Sequence, residues 1–203
     1  DEYKGKWKTM FKKEQPIHIE LGCGKGLFIS KLATQNQNIN YIAVDMIEAM
    51  LGLTKRNIEE AYSEANLCDD ELNFKPDNLW LIRTNVENIE NVFAKEDEIS
   101  RIYINFCNPW PKSKHNKRRL THPRQLKQYE EFLKSDGEIY FKTDDDELFM
   151  ASLDYFEEEG FKLINKTLDL HFDDIFNGNI ETEHEKMFTE QGIKIKALIA
   201  RKN

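Results

Sequence analysis

The sequence predicts an α/β fold in which a mainly parallel, seven-stranded sheet carries helices on both faces and ends in an antiparallel hairpin at its C-terminal edge. Short apolar runs alternate with helical patterns along most of the chain, which is typical of strand–helix–strand units. Only about twenty mostly polar residues separate the last two strand-like segments, so these strands are expected to pair antiparallel. The 203 residues, 39% hydrophobic and 33% charged, suit one folded domain with a sizeable core.

The first half of the chain supplies three predicted strands and two predicted helices. Short apolar runs such as IHIEL, YIAVD and LWLIRT are typical of buried strands, whereas helical spacing of apolar residues marks the segments between them. In chain order these elements are strand Ile17–Leu21, helix Leu27–Thr34, strand Tyr41–Asp45, helix Ile47–Glu64 and strand Leu79–Thr84. The polar stretch Cys68–Asn78 is a predicted loop.

The second half continues the alternation and then changes it. The runs RIYINFC and EIYFKT are predicted strands, and each is followed by a helical pattern. In chain order the elements are strand Arg101–Cys107, helix Pro123–Lys134, strand Glu138–Thr143, helix Glu147–Glu158 and the closing strands Phe161–Leu170 and Lys194–Arg201 around a polar loop.

The chain is expected to form one domain over residues 16–203. A basic and aromatic segment over residues 1–15 precedes it, which is expected to be flexible or truncated. No run approaches the apolar length of a membrane span and no signal-peptide pattern is present, so we expect a cytoplasmic protein without a membrane partner. Three scattered cysteines, Cys23, Cys68 and Cys107, indicate neither a disulfide framework nor a zinc site. The sequence leaves open whether the protein is a monomer or a homodimer.

A glycine-rich segment directly follows the first predicted strand. In ELGCGKG, Gly22, Gly24 and Gly26 remove side chains where the backbone must turn and approach a ligand. Asp45 ends the second strand, where a carboxylate can accept hydrogen bonds from both hydroxyls of a ribose. The pattern differs from the dinucleotide fingerprint G-x-G-x-x-G because its third glycine falls one place early. Glu20 would repel a pyrophosphate but suits a cationic ligand, so the pattern favours S-adenosylmethionine over NAD, with a turn that binds no ligand as the alternative.

A dense basic cluster follows the fourth predicted strand in a chain whose formal net charge is −8. The segment FCNPWPKSKHNKRRL places two prolines and a tryptophan at the carboxyl end of the sheet, where α/β enzymes bind their ligands. No acidic residue occurs from Lys112 through Arg124, which favours binding of a polyanion over the commoner solvated helix face. A second basic strip lies at the N-terminus, where lysines alternate with Tyr3, Trp7 and Phe11.

The segment FCNPWPKSKHNKRRLT resembles the F-[SC]-D-P-W-P-K-x-R-H-x-K-R-R-L-T signature of the bacterial tRNA (guanine-N7)-methyltransferases. The resemblance runs from about Pro16 to Ala200 and includes HIELGCGKG, RIYINF, YFKTDD and TEHEKMF. It implies a Rossmann-like class I methyltransferase that moves a methyl group from S-adenosylmethionine to guanine-46 in the variable loop of tRNA. It also implies S-adenosylhomocysteine as the product, no metal, tRNA as the partner and no obligate protein partner.

The resemblance assigns roles to particular positions. The cofactor positions are Glu20, Gly22, Gly24, Asp45, Asn85 and Asn108, and Asn108 is also the catalytic position. The substrate positions are Lys112, Asp144, Thr182, Glu183, His184 and Glu185. The charge pattern adds Lys114, Lys117, Arg118 and Arg119 as expected contacts to the tRNA backbone.

Three positions depart from the usual family pattern. Asp45 replaces the more common Glu, and both Asn85 and Asn108 replace Asp, of which the change at Asn108 matters most. The part upstream of Pro16 is also shorter than in the family. A catalytically weakened RNA-binding protein and a small-molecule methyltransferase therefore remain alternative functions.

Several of these residues also have ordinary structural interpretations. Asn85 suits a turn at the end of a strand. Asp144 with Glu147, and Thr182 with Glu185, each match a capping box at a helix start. Trp110 suits either packing or stacking on a base, and His18 in the first strand is expected to be a packed core residue.

Overall fold

The computed structural model describes residues 2–68 and 75–203, and within them seven strands form a single sheet. The strands are β1 Ile17–Leu21, β2 Asn40–Asp45, β3 Leu79–Arg83, β4 Ile99–Asn105, β5 Leu133–Thr143, β6 Lys162–Thr167 and β7 Lys196–Arg201. Their order is β3-β2-β1-β4-β5-β7-β6. The five strands from β3 to β5 are parallel, whereas β7 pairs antiparallel with both β5 and β6. The predicted fold class is confirmed.

Helices connect the strands and cover both faces of the sheet. The α-helices are α1 Trp7–Met10, α2 Leu27–Gln35, α3 Glu48–Glu64, α4 Pro123–Phe132, α5 Asp146–Glu158 and α6 Glu183–Glu190. Short 3₁₀ helices span Val86–Asn91, Lys95–Asp97 and Ser113–Arg118. Among the described helices, none is both long and apolar enough to cross a bilayer.

Two regions differ from the predicted elements. The segment between the last two strands was predicted to be a polar loop with a capping box at Thr182 and Glu185. The capping box is present, but it begins a full helix, α6, whose one buried residue is the charged Glu185. A helix with so little apolar surface gives no periodic apolar signal. Helix α4 was predicted to continue to Lys134, but it ends at Phe132 and β5 begins at once at Leu133.

The alternation of side chains along β1 defines the two sides of the core. Ile17, Ile19 and Leu21 face the cluster that includes α4 and α5, whereas the intervening positions face the side covered by α2 and α3. All five residues of β1 are buried, as expected for a central parallel strand. His18 is among them, and its ring packs edge-on against that of Tyr41 with the ring centroids 5.7 Å apart. The prediction that His18 is a core residue is confirmed.

The N-terminal segment packs against this core. Trp7 is 1% exposed and its indole N–H donates to the carbonyl of Val92 at 2.9 Å. The Asp97 carboxylate accepts the backbone N–H groups of Gly5 at 3.0 Å and Trp7 at 2.9 Å. The aromatic residues of the N-terminal basic strip therefore anchor the segment in the fold, and Lys8 forms an ion pair with Glu98.

The two segments that carry the sequence motifs start at the same edge of the sheet. The carboxyl ends of the parallel strands β1, β2, β4 and β5 meet there, and the connections leave β1 and β4 in opposite directions. Such a switch in strand order opens a crevice between the two connections. The glycine-rich segment and the basic segment both start at this edge.

Candidate active site

The glycine-rich segment 22–26 forms one wall of a cleft of about 450 Å³ at this edge. Gly22, Gly24 and Gly26 have positive φ angles of 77°, 52° and 73°, a region that L side chains rarely adopt. A Cβ added at Gly22 or Gly24 would meet no described atom within 4 Å, which leaves the backbone accessible. At Gly26 the same Cβ would lie 2.4 Å from Cγ2 of Thr54, because α3 packs against the turn.

Glu20 lies at the floor of this cleft with one carboxylate oxygen unsatisfied. It is 3% exposed, and the side-chain amide of Asn105 donates to its Oε1 at 3.0 Å. Among the described residues, its Oε2 has no hydrogen-bond partner. Burial raises the pKa of Glu20 to about 8, aided by Asp45 and opposed by Asn105 and Lys142. A cation that entered the cleft would supply the missing partner and favour the carboxylate.

Asp45 holds the glycine turn in place. One of its oxygens accepts the N–H of Gly24 at 2.9 Å, and the other accepts the N–H of Ile47 at 2.9 Å. Each carboxylate oxygen can accept a further bond, so Asp45 retains capacity for the hydroxyls of a ligand. Asn85 caps the 3₁₀ helix after β3, since its side-chain oxygen accepts the N–H of Glu87 at 3.0 Å.

The opposite wall of the cleft comes from the end of β4 and the start of α6. Phe106 stacks on His184, with ring centroids 6.1 Å apart and planes inclined by 19°. Thr182 and Glu183 complete this wall together with Met187. Three of the four predicted TEHE positions therefore face the glycine turn across the cleft.

Glu185, the fourth of these positions, does not face the cleft. It is 0% exposed, and the buried ammonium of Lys142 donates to it at 2.5 Å. It also closes a capping box with Thr182, whose hydroxyl oxygen accepts the N–H of Glu185 at 3.1 Å. Its carboxylate is enclosed and bonded to Lys142, which gives it a supporting role in this structure, and the contact of Glu185 with a substrate stays a prediction.

The capping box predicted for Asp144 and Glu147 is wrong. Helix α5 is capped one residue later, where a side-chain oxygen of Asp145 accepts the N–H of Leu148 at 2.6 Å. The carboxyl group of Asp144 is half-buried instead, and burial raises its pKa. This position at the end of β5 is compatible with the predicted contact to a substrate.

The Pro-Trp-Pro loop holds Asn108 in an exposed turn after β4. The Asn108 side-chain oxygen accepts the backbone N–H of Trp110 at 3.0 Å. Trp110 has a φ angle of 44° and Phe106 one of 51°, both in the left-handed region that costs energy for non-glycine residues. Arg118 lies over the Trp110 ring, 5.0 Å from its centroid.

Four cations extend from this loop into solvent. Lys112, Lys114, Lys117 and Arg118 are exposed, and no ion pair in the described part of the chain includes any of them. We call these four residues the cationic patch. Four neighbouring exposed charges without acidic partners suit contact with a polyanion.

Arg119 is not part of this patch, although the sequence predicted it as a contact to the tRNA backbone. It is 1% exposed, and its Nε donates to the carbonyl of Pro109 at 2.8 Å. A terminal nitrogen donates to Glu147 at 2.8 Å, which ties the loop to α5. Its guanidinium is enclosed between the loop and α5, which indicates support of the loop, and its contact with the tRNA backbone stays a prediction.

Comparison with known proteins identifies the family. A family model described as "Putative methyltransferase" matches residues 14–198. A protein of Clostridium beijerinckii named tRNA (guanine-N(7)-)-methyltransferase is 59% identical, over 100% of this chain and 89% of its own length. A protein of Ruminiclostridium cellulolyticum with the same name is 53% identical, over 98% of this chain and 81% of its own length.

The chain belongs to the bacterial tRNA (guanine-N7-)-methyltransferase family. The resemblance stated from the P-W-P-K segment is thereby confirmed. Solved structures outside this family share the fold. The 16S rRNA methyltransferase KamB matches with a TM-score of 0.66 at 13% identity, covering 96% of this chain and 89% of that one. An antibiotic-related methyltransferase matches with a TM-score of 0.61 at 18% identity, covering 93% and 88%.

Asn105 and Lys142 were not among the residues predicted from the sequence. Asn105 bonds Glu20, and Lys142 bonds Glu185 beneath the cleft. They occupy the last position of β4 and the next-to-last position of β5. A lysine within a strand that is buried on both faces is a signal that could have singled out Lys142. In the residues that the structure describes, no group of three or more His, Cys, Asp and Glu side chains is arranged to hold a metal ion.

Proposed function

We propose that this protein transfers a methyl group from S-adenosylmethionine to N7 of a guanine in tRNA, and that the target is guanine-46 of the variable loop. The observation that carries the proposal is the identity of 59% over the whole chain to a relative named for this activity. The arrangement of the sheet edge supports it, because the cleft and the cationic patch both lie at the carboxyl ends of the strands.

The residues of the cleft fit the cofactor that the family implies. S-adenosylmethionine would supply a methyl group made electrophilic by its positively charged sulfur. The unsatisfied Oε2 of Glu20 suits a cationic group, and the open backbone at Gly22 and Gly24 lets a ligand approach closely. Asp45, fixed by Gly24 and Ile47, would accept hydrogen bonds from the ribose.

Methylation at N7 requires little acid–base catalysis by the protein. The N7 atom of guanine carries an in-plane lone pair at neutral pH, so the base loses no proton when the methyl group is added. The protein must hold N7 in line with the methyl group at reacting distance. A general base is therefore not required, and we assign Asn108 a positioning role.

Residues that follow the carboxyl ends of β4 and β5 can provide this positioning. Asn108 offers both a donor and an acceptor but no negative charge to stabilise the cationic purine that forms. The half-buried carboxyl group of Asp144 can accept from the N1–H and amino group of guanine. Lys112 and the rest of the cationic patch would bind phosphates and carry the charge-dependent part of tRNA affinity.

The test is transfer of labelled methyl groups from S-adenosylmethionine to unmodified tRNA. The proposal expects label in the tRNA, recovered as N7-methylguanosine, and no label when guanine-46 is replaced by adenine. Label that persists after this replacement would refute the assignment to guanine-46. Retention of tRNA without methyl transfer would instead support a catalytically weakened RNA-binding protein. The exposed Asn108 in place of Asp favours this alternative. Neither retention nor transfer would favour the small-molecule methyltransferase.

A further inference from the structure

Lys142 is a buried cation to which none of the proposed roles applies. It is 1% exposed in the middle of the sheet, and its register partner on β4 is Asn105. Asn105 in turn donates to Glu20 on β1. Glu20, Asn105 and Lys142 therefore form a row across three neighbouring strands, directly below the cleft. Burying an ammonium is costly unless hydrogen bonds and an opposite charge compensate it.

The hydrogen bonds of the Lys142 ammonium all go to one short segment, and the ammonium also lies 5.2 Å from the ring centroid of Phe28. The Lys142 ammonium donates to Glu185 at 2.5 Å, to the side chain of Asn179 at 2.9 Å and to the carbonyl of Ile180 at 2.9 Å. The second oxygen of Glu185 accepts from Asn179 at 2.5 Å. These three acceptors match the three N–H groups of an ammonium. The segment 179–185, which carries the wall of the cleft, is thus bonded to the sheet through Lys142.

The hydrogen bonds of Lys142 also determine how it interacts with Glu20. Because the three N–H groups of Lys142 already have acceptors, its charge acts on Glu20 through space and without a direct bond. Lys142 lowers the pKa of Glu20 and opposes the effect of burial. The Oε2 atom of Glu20 consequently stays unbonded within the described chain, while the charge of Lys142 partly offsets the effect of burial on the carboxylate.

A second link between the two walls lies at the mouth of the cleft and is weaker. Lys25 and Glu183 form an ion pair at 2.9 Å, but both side chains are about half exposed. Exposed pairs contribute at most about 1 kcal/mol. Of the two ionic links, the buried one of Lys142 is therefore the stronger, and it adds to the stacking of Phe106 on His184 and Phe188.

We propose that Lys142 is a positioning residue of the methyl-transfer site, which fixes segment 179–185 opposite the glycine turn and keeps Glu20 available for the α-ammonium group that the methyl donor and its product share. This inference rests on the proposed function, because it takes S-adenosylmethionine as the ligand of the cleft. Lys142 touches neither cofactor nor tRNA in this role. Its effect is transmitted through Glu185 and Glu20.

The test compares Lys142→Met with the double variant Lys142→Met/Glu185→Leu. The single variant leaves Glu185 buried without its cation, so Tm should fall by roughly 10 °C. The double variant removes both charges and should recover much of this loss. Lys55→Met is the control, since it removes a lysine from an exposed pair with Glu59, one turn further along α3. The control should match the wild type in every measurement.

The decisive measurement is the affinity for S-adenosylhomocysteine, followed by calorimetry between about pH 6 and 8.5. We expect both Lys142 variants to bind it at least about tenfold more weakly than the wild type at neutral pH, which corresponds to about 1.4 kcal/mol. The pH at which affinity is half-maximal should rise by about half a unit or more in the double variant. Lys142, Asp45, Cys23 and Tyr103 interact electrostatically with Glu20, and Lys25, Glu183 and His184 line the same cleft. Of all these groups, the variants change only Lys142.

The outcomes separate positioning from simple stabilisation. A double variant that regains wild-type affinity and pH profile along with its Tm would overturn the proposal, because Lys142 would then be structural only. A wild type that binds S-adenosylhomocysteine but does not methylate tRNA would refute the proposed function and leave the Lys142 comparison valid. A wild type that does not bind S-adenosylhomocysteine at all would overturn both.

Discussion

Arg118 and Arg119 are adjacent in the sequence, yet the structure predicts opposite consequences for the same substitution. Arg118 is exposed and lies over Trp110, whereas Arg119 is enclosed and bonds Pro109 and Glu147. Arg118→Met and Arg119→Met each remove one positive charge from the same segment. The pair therefore separates contact with a polyanion from support of the loop, with each variant serving as the control for the other.

The expected loss of stability differs between the two variants. Arg119→Met removes two short hydrogen bonds, both 2.8 Å long, one to a carbonyl and one to a carboxylate. Such bonds contribute about 1–3 kcal/mol each, but Glu147 is 68% exposed and its share is reduced by solvent. The sum is roughly 2–4 kcal/mol, or roughly 5–15 °C in Tm for a chain of this size. Arg118→Met removes an exposed cation–π contact worth about 0.5–1 kcal/mol.

The assay is tRNA binding measured as a function of salt concentration, together with thermal unfolding. Each phosphate contact contributes about 0.9 to the slope of log K against log salt. Arg118→Met should reduce this slope by about one unit and leave Tm nearly unchanged. Arg119→Met should lower Tm and kcat but keep the slope, and Arg119→Lys should rescue little because an ammonium cannot bridge both acceptors. A reduced slope at unchanged Tm in Arg119→Met would refute this reasoning.

Three further substitutions test the cleft and its loops. Glu20→Gln should weaken binding of S-adenosylhomocysteine about tenfold or more, since it removes a charge-assisted bond. Because burial raises the pKa of Glu20 in the folded state, ionising it costs stability increasingly as pH rises from about 4.5 to about 8. The Tm of Glu20→Gln should therefore rise relative to that of the wild type across this range. A Tm difference between the two proteins that does not change with pH would contradict the assignment. Asn108→Asp should raise kcat for methyl transfer or leave it unchanged, and a large loss of kcat would contradict the positioning role of Asn108. Gly26→Ala should lower the free energy of unfolding in urea by roughly 2–4 kcal/mol, because it combines a positive φ with a clash against Thr54. Gly52→Ala is the control and should be neutral or stabilising, because no described atom lies within 4 Å of the added Cβ.

The strands and the glycine turn could be predicted from sequence because their signals are local. Ile17, Ile19 and Leu21 alternate within five residues of chain, and Gly22 and Gly24 follow directly. Each signal reflects a property of neighbouring residues, such as the period of a strand or the backbone freedom of glycine.

The buried charges could not be predicted in the same way, because their partners are distant in sequence. Arg119 and Lys117 are both cations in one basic run, and only the packing of α5 distinguishes them. Lys142 and Glu185 are 43 residues apart, and α6 has almost no apolar residue facing inward to show that it packs. Local sequence patterns therefore indicate the glycine turn and the basic segment, whereas the buried charge pairs that support them become visible only in the structure.

The place of β7 in the sheet has a consequence for synthesis on the ribosome. β7 lies between β5 and β6, so β6 has no neighbour in the sheet until residues 196–201 have emerged. Until then the inner edge of β5, with the apolar Ile139 and Phe141, is an open template for another nascent chain. Lys162 and Lys166 project from the outer strand β6, and their charge discourages the finished sheet from adding a further strand.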